Sequence, residues 1–247
     1  LQPSPALVSP QPVVIARKCP EHVGATGTGV HQPLRGDRPL ANCARVRCRA
    51  VACMRIVLAD LKGGDGYVSK DTVVGGYGSR LKPFTTVTRV FACVKYGFHE
   101  LPSVNLAYAA ALAHKAGHEV VGSTGKLLDG DAAIVLSSLV DYRRETAWAR
   151  RMRQRGVRVG FIGLAAHQLP HLFADSADFI INGEPEAALQ RFFDGETLSG
   201  IPLSPQIDDL DSLPFPHWEP LVPSRRRIHV PFAGRAFRGS LPVLASR

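Results

Sequence analysis

Residues 132–162 have the sequence AAIVLSSLVDYRRETAWARRMRQRGVRVGFI, in which a helical pattern lies between two apolar runs. Ala132–Leu136 is wholly apolar, as expected of a strand that is buried on both faces. Asp141–Arg155 predicts a helix with a very basic outer face, and Gly156 is placed to end it. Val157–Ile162 predicts the next strand. A helix between two apolar strands predicts parallel neighbours in one sheet, so this unit indicates the α/β class.

The same alternation extends in both directions from this unit. Upstream we predict a strand, a helix and a strand at Arg55–Leu58, Ser103–Ala116 and Glu119–Val121. Downstream we predict a short helix, a strand and a last helix at Gln168–Phe173, Phe179–Ile181 and Glu184–Phe193. Five strands with helices between them predict a flavodoxin-like (Rossmann-like), doubly wound, five-stranded parallel sheet over residues 54–198.

The two ends of the chain have a different character. Residues 1–53 mix Pro, Gly, Arg and Cys without periodicity, so we expect a disordered or non-native extension, with Met54 as the natural start. Residues 199–247 are rich in Pro and Arg, and we expect a linker that leads to the first strand of a further domain.

The net charge of +9 lies in these ends rather than in the predicted domain. Residues 1–53 hold seven Lys/Arg against two acids, residues 224–247 hold six Arg and no acid, and residues 54–223 carry −2. A phosphate-binding face should belong to the folded body, so we do not expect nucleic-acid binding. No apolar run approaches 18 residues, so we expect no membrane span and a cytoplasmic protein.

The first crossover, from Leu61 to Pro102, is unusually long. Loops of this length are usually functional or disordered. Its glycines, which include Gly75, Gly76 and Gly78 around Tyr77, would let the backbone approach a ligand closely. A ligand-binding loop and a flexible insertion both remain open.

Small residues dominate the segments that follow the predicted strands. In an open parallel sheet, ligands bind at the carboxyl ends of the strands, where the winding direction reverses. Besides the glycine-rich loop, these segments are Ser137–Val140, Gly163–Ala166 and Asn182–Pro185. They suit a large flat ligand lying across the edge, although each serine alone could be a helix cap.

Several common motifs are absent from the sequence. No P-loop ends in Gly-Lys-Ser/Thr, and Gly75-Gly76-Tyr77-Gly78 is not a GxGxxG fingerprint. A receiver domain would need an acceptor where Ser137 stands and a lysine where Gly183 stands. The five cysteines fit unpaired thiols in a reducing compartment, and no metal or catalytic residue is predicted.

Three segments carry a resemblance to a known family. They are 102–120, which contains HKAGHEV at 114–120; 177–189, which contains INGEPEAAL; and the bridge IDDLDSLPFP at 207–216. These segments resemble the N-terminal cobalamin-binding domain of cobalamin-dependent radical S-adenosylmethionine (radical SAM) proteins. The similarity covers residues 54–247, about four-fifths of the chain. In addition, Leu241–Arg247 resembles the strand before the CxxxCxxC motif, a spacing that no cysteines here show.

The resemblance implies a cofactor and its binding residues. Cobalamin would bind base-off without a protein histidine, because the Asp-x-His-x-x-Gly signature is missing after Asp60. S-adenosylmethionine and a 4Fe-4S cluster would belong to a missing C-terminal barrel, the expected partner in cis. The resemblance thus implies that this fragment is non-catalytic and that the whole protein is a methyltransferase or carries out related radical chemistry. The candidate cobalamin-binding residues are Gly75, Gly76, Tyr77, Ser137, Ser138, Leu139, Val140, Gly163, Leu164, Ala165, Gly183 and Glu184.

Two alternatives stay open at this point. One is a cofactor-free, flavodoxin-like domain of the same family that presents a substrate or binds a partner. The other is an unrelated nucleotide- or flavin-binding protein with the same fold.

Overall fold

The computed structural model describes residues 52–63, 68–70, 77–80, 82–98, 102–221, 229–232 and 235–238. All elements below belong to the unit Met54–Arg247. Its strands, in chain order, are β1 (Arg55–Ala59), β2 (Val68–Ser69), β3 (Ser79–Arg80), β4 (Glu119–Ser123), β5 (Ala132–Leu136), β6 (Arg158–Ile162), β7 (Phe179–Ile180), β8 (Asn182–Gly183), β9 (Leu203–Ser204), β10 (His229–Phe232) and β11 (Arg235–Arg238). Its helices are α1 (Thr86–Phe98), α2 (Val104–Lys115), α3 (Tyr142–Gln154), α4 (Leu164–Gln168) and α5 (Pro185–Phe193).

Five strands form the central sheet in the order β4-β1-β5-β6-β7, and every pairing is parallel. Counted along the chain, this order is 2-1-3-4-5, which is the flavodoxin-like arrangement. The predicted α/β class and the five parallel strands are therefore confirmed. Because successive side chains point to opposite faces, Ile56 and Leu58 lie in one core while Val57 and Ala59 lie in the other.

Helices cover both faces of the sheet. Helices α2 and α5 pack on the face that contains Ile56, and α3 and α4 pack on the face that contains Val57. Alanine and leucine make up seven of the twelve residues of α2, and Ala109, Ala110 and Ala113 are fully buried. These small side chains let α2 approach the sheet closely. Gly117, with φ of +83°, follows its end as the sequence predicts.

The long first crossover contains structure that the sequence did not reveal. Strands β2 and β3 form a short antiparallel hairpin, and α1 follows it as a 13-residue helix. The helix predicted at Gln168–Phe173 was also wrong in detail. Helix α4 begins four residues earlier and ends before Pro170, which has no N–H to donate, and two 3₁₀ turns follow.

The segment predicted as a linker begins as part of the folded unit. Strand β9 pairs in parallel with β8, and the Ile180 N–H donates to the Gly200 carbonyl at 2.8 Å. Further along, the His217 N–H donates to the Ala107 carbonyl at 3.0 Å, so the bridge segment ends against α2. Leu213 and Leu221 pack on the core beneath α2.

Some expectations concern residues outside the described ranges. They include the predicted disorder of residues 1–51, the roles of Gly75 and Gly76, and the strand at Leu241–Arg247. In the described part of the chain, no helix is both long enough and apolar enough to cross a membrane.

Candidate functional site

The winding of the sheet reverses between β1 and β5. These neighbouring strands are followed by α2 and α3, which lie on opposite faces of the sheet. The carboxyl ends of the two strands, at Asp60 and at Ser137-Ser138, therefore border the crevice where an α/β sheet usually binds its ligand.

A lysine from the crossover hairpin fills this crevice. The Lys70 ammonium donates to the Leu136 carbonyl at 2.6 Å and lies 2.9 Å from Glu145 Oε1 and 3.7 Å from Asp60 Oδ1. Its side chain is only 1% exposed. Charge balance is maintained because two carboxylates surround it, and Asp60 also pairs with Lys62 at 2.5 Å.

Ser138 and Glu145 complete this arrangement. The Ser138 N–H donates to Glu145 Oε2 at 2.9 Å, and the Ser138 hydroxyl donates to Oε1 at 2.5 Å. Burial raises the pKa of Glu145, while the Lys70 ammonium and the Ser138 hydrogen bonds oppose that rise. We call Asp60, Lys70, Ser138 and Glu145 the switch-point cluster.

A second charged pair fixes the other strand of the hairpin. Arg80 donates to Asp141, whose own N–H donates to the Ser138 hydroxyl at 3.3 Å. Burial raises the pKa of Asp141, and the nearby Arg80, Arg144 and Lys70 charges lower it in part. Both strands of the hairpin are therefore held over β5 by ionic contacts.

Ser137 has a structural role similar to that of Ser138. It is 1% exposed, and its hydroxyl accepts a hydrogen bond from the Ala166 N–H at 2.9 Å. The two serine hydroxyls thus connect the end of β5 to α4 and α3 respectively. Neither hydroxyl faces solvent.

The exposed part of this edge is apolar. Tyr77, Leu139 and Val140 are 38%, 39% and 39% exposed, and the Leu139 N–H donates to the Tyr77 carbonyl at 2.8 Å. Gly163, with φ of +99°, lies beside Ser137 at the same edge of the sheet, because a Cβ at Gly163 would lie 3.2 Å from the Ser137 hydroxyl oxygen. We call Tyr77, Leu139, Val140 and Gly163 the open edge.

The remaining candidate residues are less available to a ligand. Leu164 is half-buried, and Ala165 is fully buried behind it. A side chain at Gly183 would collide with the Ser204 carbonyl, so this glycine is required by the pairing of β8 with β9. Glu184 is half-buried and precedes α5. The structure therefore brings Tyr77, Ser137–Val140 and Gly163 together and places Gly183 beside a structural contact.

Sequence reasoning missed Lys70 and Glu145. The available signal was weak: Lys70 follows a two-residue strand inside a polar crossover, and Glu145 is the single acid in a helix with six arginines, counting Arg155 just after its end. Also missed was the role of His118, which lies in a motif of the resemblance. Its ring accepts from the Met54 N–H at 3.2 Å and contacts the Phe193 carbonyl at 2.8 Å, so it joins β1 to α5.

In the described ranges, no three His, Cys, Asp or Glu side chains cluster as metal ligands would. Neither a protein-family model nor a curated protein matches this chain.

Proposed function

We propose that this chain is a cobalamin-binding module that works with a radical SAM domain, the whole protein being a methyltransferase or a related radical enzyme. The proposal rests on the resemblance of three segments and on one structural observation. That observation is the open edge, where partly exposed apolar side chains lie at the carboxyl end of a 2-1-3-4-5 parallel sheet. Ligands of this fold bind at that end.

The open edge fits the broad face of a corrin ring, because Tyr77, Leu139 and Val140 offer partly exposed apolar surface there. The crevice between β1 and β5 does not fit the nucleotide tail in this arrangement, because Lys70 and its carboxylates occupy it. We therefore assign the corrin to the open edge, and no step of the chemistry is assigned to residues of the switch-point cluster.

Cobalamin, when bound, would supply a cobalt-centred methyl carrier. The residues of this chain would bind and orient it and would exclude water from one face of the ring. The radical chemistry would belong to the partner domain, since no cysteines in the sequence have the CxxxCxxC spacing.

A titration with hydroxocobalamin, followed by its visible absorption, tests this assignment. Val140→Asp places a charge on the open edge and should weaken binding at least tenfold, because an apolar contact is replaced by a buried charge. Val87→Asp is the matched control, since Val87 is 79% exposed at the start of α1. Equal binding by both variants, or no binding by the unmodified chain, would refute the assignment.

A cofactor-free interaction domain is the second candidate, and a specific observation favours it. The Lys70 ammonium already has three oxygen partners within the protein, so the crevice needs no ligand to satisfy its charges. This candidate predicts an unchanged cobalamin spectrum on titration.

A further inference from the structure

A second concave site lies at the carboxyl edge, on the other side of β1. A cavity of about 210 Å³ is lined by Leu61, Gly63, Thr124, Gly125, Arg144, Ala147, Trp148 and Arg151. We call it the arginine cavity. It lies between the loops that follow β1 and β4 and one side of α3, and it includes no residue of the open edge.

The charge of this cavity is positive. Arg144 and Arg151 line it, and none of its lining residues in the described part of the chain is acidic. Arg144 is 58% exposed, and its nearest acid, Asp141, is 4.0 Å away with its other oxygen bound to Arg80. Arg151 is exposed and has no ion pair among the residues that the structure describes. The two guanidinium groups are therefore available to an anion.

Helix geometry places these two arginines on either side of a gap. Residues three and four apart share a helix face, so Ala147 lies between Arg144 and Arg151. Their Cα atoms are roughly 10 Å apart along the axis, and the small Ala147 side chain leaves the space between them empty. Long arginine side chains can converge on a ligand held there.

One wall of the cavity, formed by the turn after β4 and by Trp148, is held in place by internal hydrogen bonds. The Ser123 hydroxyl donates to the Lys126 carbonyl at 2.7 Å and accepts from the Gly125 N–H at 3.2 Å, which closes the turn after β4. The buried Trp148 indole N–H donates to the same Lys126 carbonyl at 3.3 Å. A preorganised wall reduces the entropy lost on binding.

We propose that the arginine cavity binds a phosphate group, either as the free ion or as a phosphomonoester. Two guanidinium forks match the oxygens of a phosphate, and two positive charges match its dianion. The inference does not depend on cobalamin binding, because the cavity and the open edge share no residue.

The indole of Trp148 provides a direct readout of binding. In a Trp218→Phe background of the full chain, its fluorescence is followed during titration with inorganic phosphate and with methyl phosphate, at constant ionic strength set with chloride. A saturable fluorescence response to either probe supports the proposal. The probe that binds with the higher affinity shows whether the free ion or the ester is the preferred form. Absence of a saturable response to both would overturn it.

Two neighbouring arginines supply a matched pair of variants. Arg150 and Arg151 are both exposed on α3, but only Arg151 lines the arginine cavity. Arg151→Gln should weaken phosphate binding by about tenfold, the usual effect of losing one charge-assisted hydrogen bond. Arg150→Gln should change it less than about twofold, because screening reduces the effect of a charge outside the site. If both variants weaken phosphate binding equally, phosphate responds to the general positive charge of α3 and not to the arginine cavity, which would contradict the proposal.

A blocking variant keeps the test decisive if the arginine change has a small effect. Ala147→Glu places a carboxylate between Arg144 and Arg151, and glutamate is a good helix former, so α3 should persist. Phosphate binding should be lost while the circular dichroism spectrum stays unchanged. A folded variant that still binds phosphate would overturn the proposal.

Discussion

The two halves of the carboxyl edge, on either side of β5, differ in burial and in polarity. On the β1 side, the switch-point cluster is charged and largely buried, and its ionic groups pair with one another, although Asp60 Oδ1 accepts no hydrogen bond from the described residues. On the β6 side, the open edge is apolar, partly exposed and lined by a glycine. The difference teaches that charged side chains of the protein itself fill the fold's usual crevice, while the adjacent surface is the one that remains open to the ligand we propose.

This comparison predicts the largest loss of stability at Lys70. Lys70→Met leaves the Glu145 carboxylate buried without its cation, so the free energy of unfolding should fall by about 3 kcal/mol. The exposed Lys115, at the end of α2, is the matched control, and Lys115→Met should change stability by less than about 0.5 kcal/mol. Urea denaturation measures both.

The double variant Lys70→Met with Glu145→Leu sharpens this result. Replacing both partners of a buried ion pair with apolar side chains is often close to neutral. Stability should therefore be higher than in the single lysine variant. The recovery should be incomplete, because the Ser138 N–H loses its acceptor on Glu145. If the double variant loses more free energy of unfolding than the two single variants lose together, the cluster is not a simple ion pair.

The hairpin contact above β5 should give a smaller effect. Gly78 has φ of +86°, and a Cβ there would lie 2.9 Å from the Ser138 Cβ and 3.1 Å from Val140. Gly117 has φ of +83° with open space around its Cβ position. Both alanine variants carry the backbone strain of about 1–2 kcal/mol, but only Gly78→Ala should also displace the hairpin.

The difference between the two melting curves isolates that contact. Gly78→Ala should be less stable than Gly117→Ala, and hydrogen exchange should rise at the Leu139 amide, which donates to the Tyr77 carbonyl. Equal stability of the two variants would mean that the hairpin is not packed on β5 as described.

The pH dependence of stability should report on the same cluster. Because burial raises the pKa of Glu145 above its ordinary value of 4.5, the folded state keeps a proton that the unfolded chain has lost. This contribution is complete below pH 4.5 and is lost as the pH rises through the raised pKa, with a slope of at most about 1.4 kcal/mol per pH unit. Stability should therefore fall with rising pH in that window.

Glu145→Gln cannot titrate, so its stability should lack this slope. Denaturation of both proteins at a series of pH values gives the comparison. The difference between the two curves should be constant below pH 4.5, and the unmodified protein should lose stability relative to the Gln variant as the pH rises through the raised pKa. Asp141, whose pKa burial also raises, is present in both proteins and does not affect their difference. Parallel curves for the two proteins would contradict the description of Glu145.

The sequence predicted the central sheet well, for identifiable reasons. Ala132–Leu136 is the observed strand β5, and α2 and α3 begin and end within one residue of prediction, because apolar runs and the glycines at 117 and 156 mark them. The switch-point cluster was not predictable in the same way. Its lysine follows a two-residue strand in a long crossover, where neither periodicity nor a turn signal gives a position.

The open edge was predicted only in part. The composition of Ser137–Val140 indicated the right loop, but the serines proved to be internal hydrogen-bonding residues while Leu139 and Val140 carry the exposed surface. Which side chain of a short loop points outward depends on the hairpin packed against it. That long-range contact has no local signal in the sequence.

Amide hydrogen exchange with and without hydroxocobalamin tests the division of the carboxyl edge most directly. We predict slower exchange at Tyr77, Leu139, Val140 and Gly163 when the cofactor is present, with no change at Asp60 and Lys70. Protection centred on Asp60 and Lys70, or an exchange pattern identical with and without the cofactor, would contradict the account.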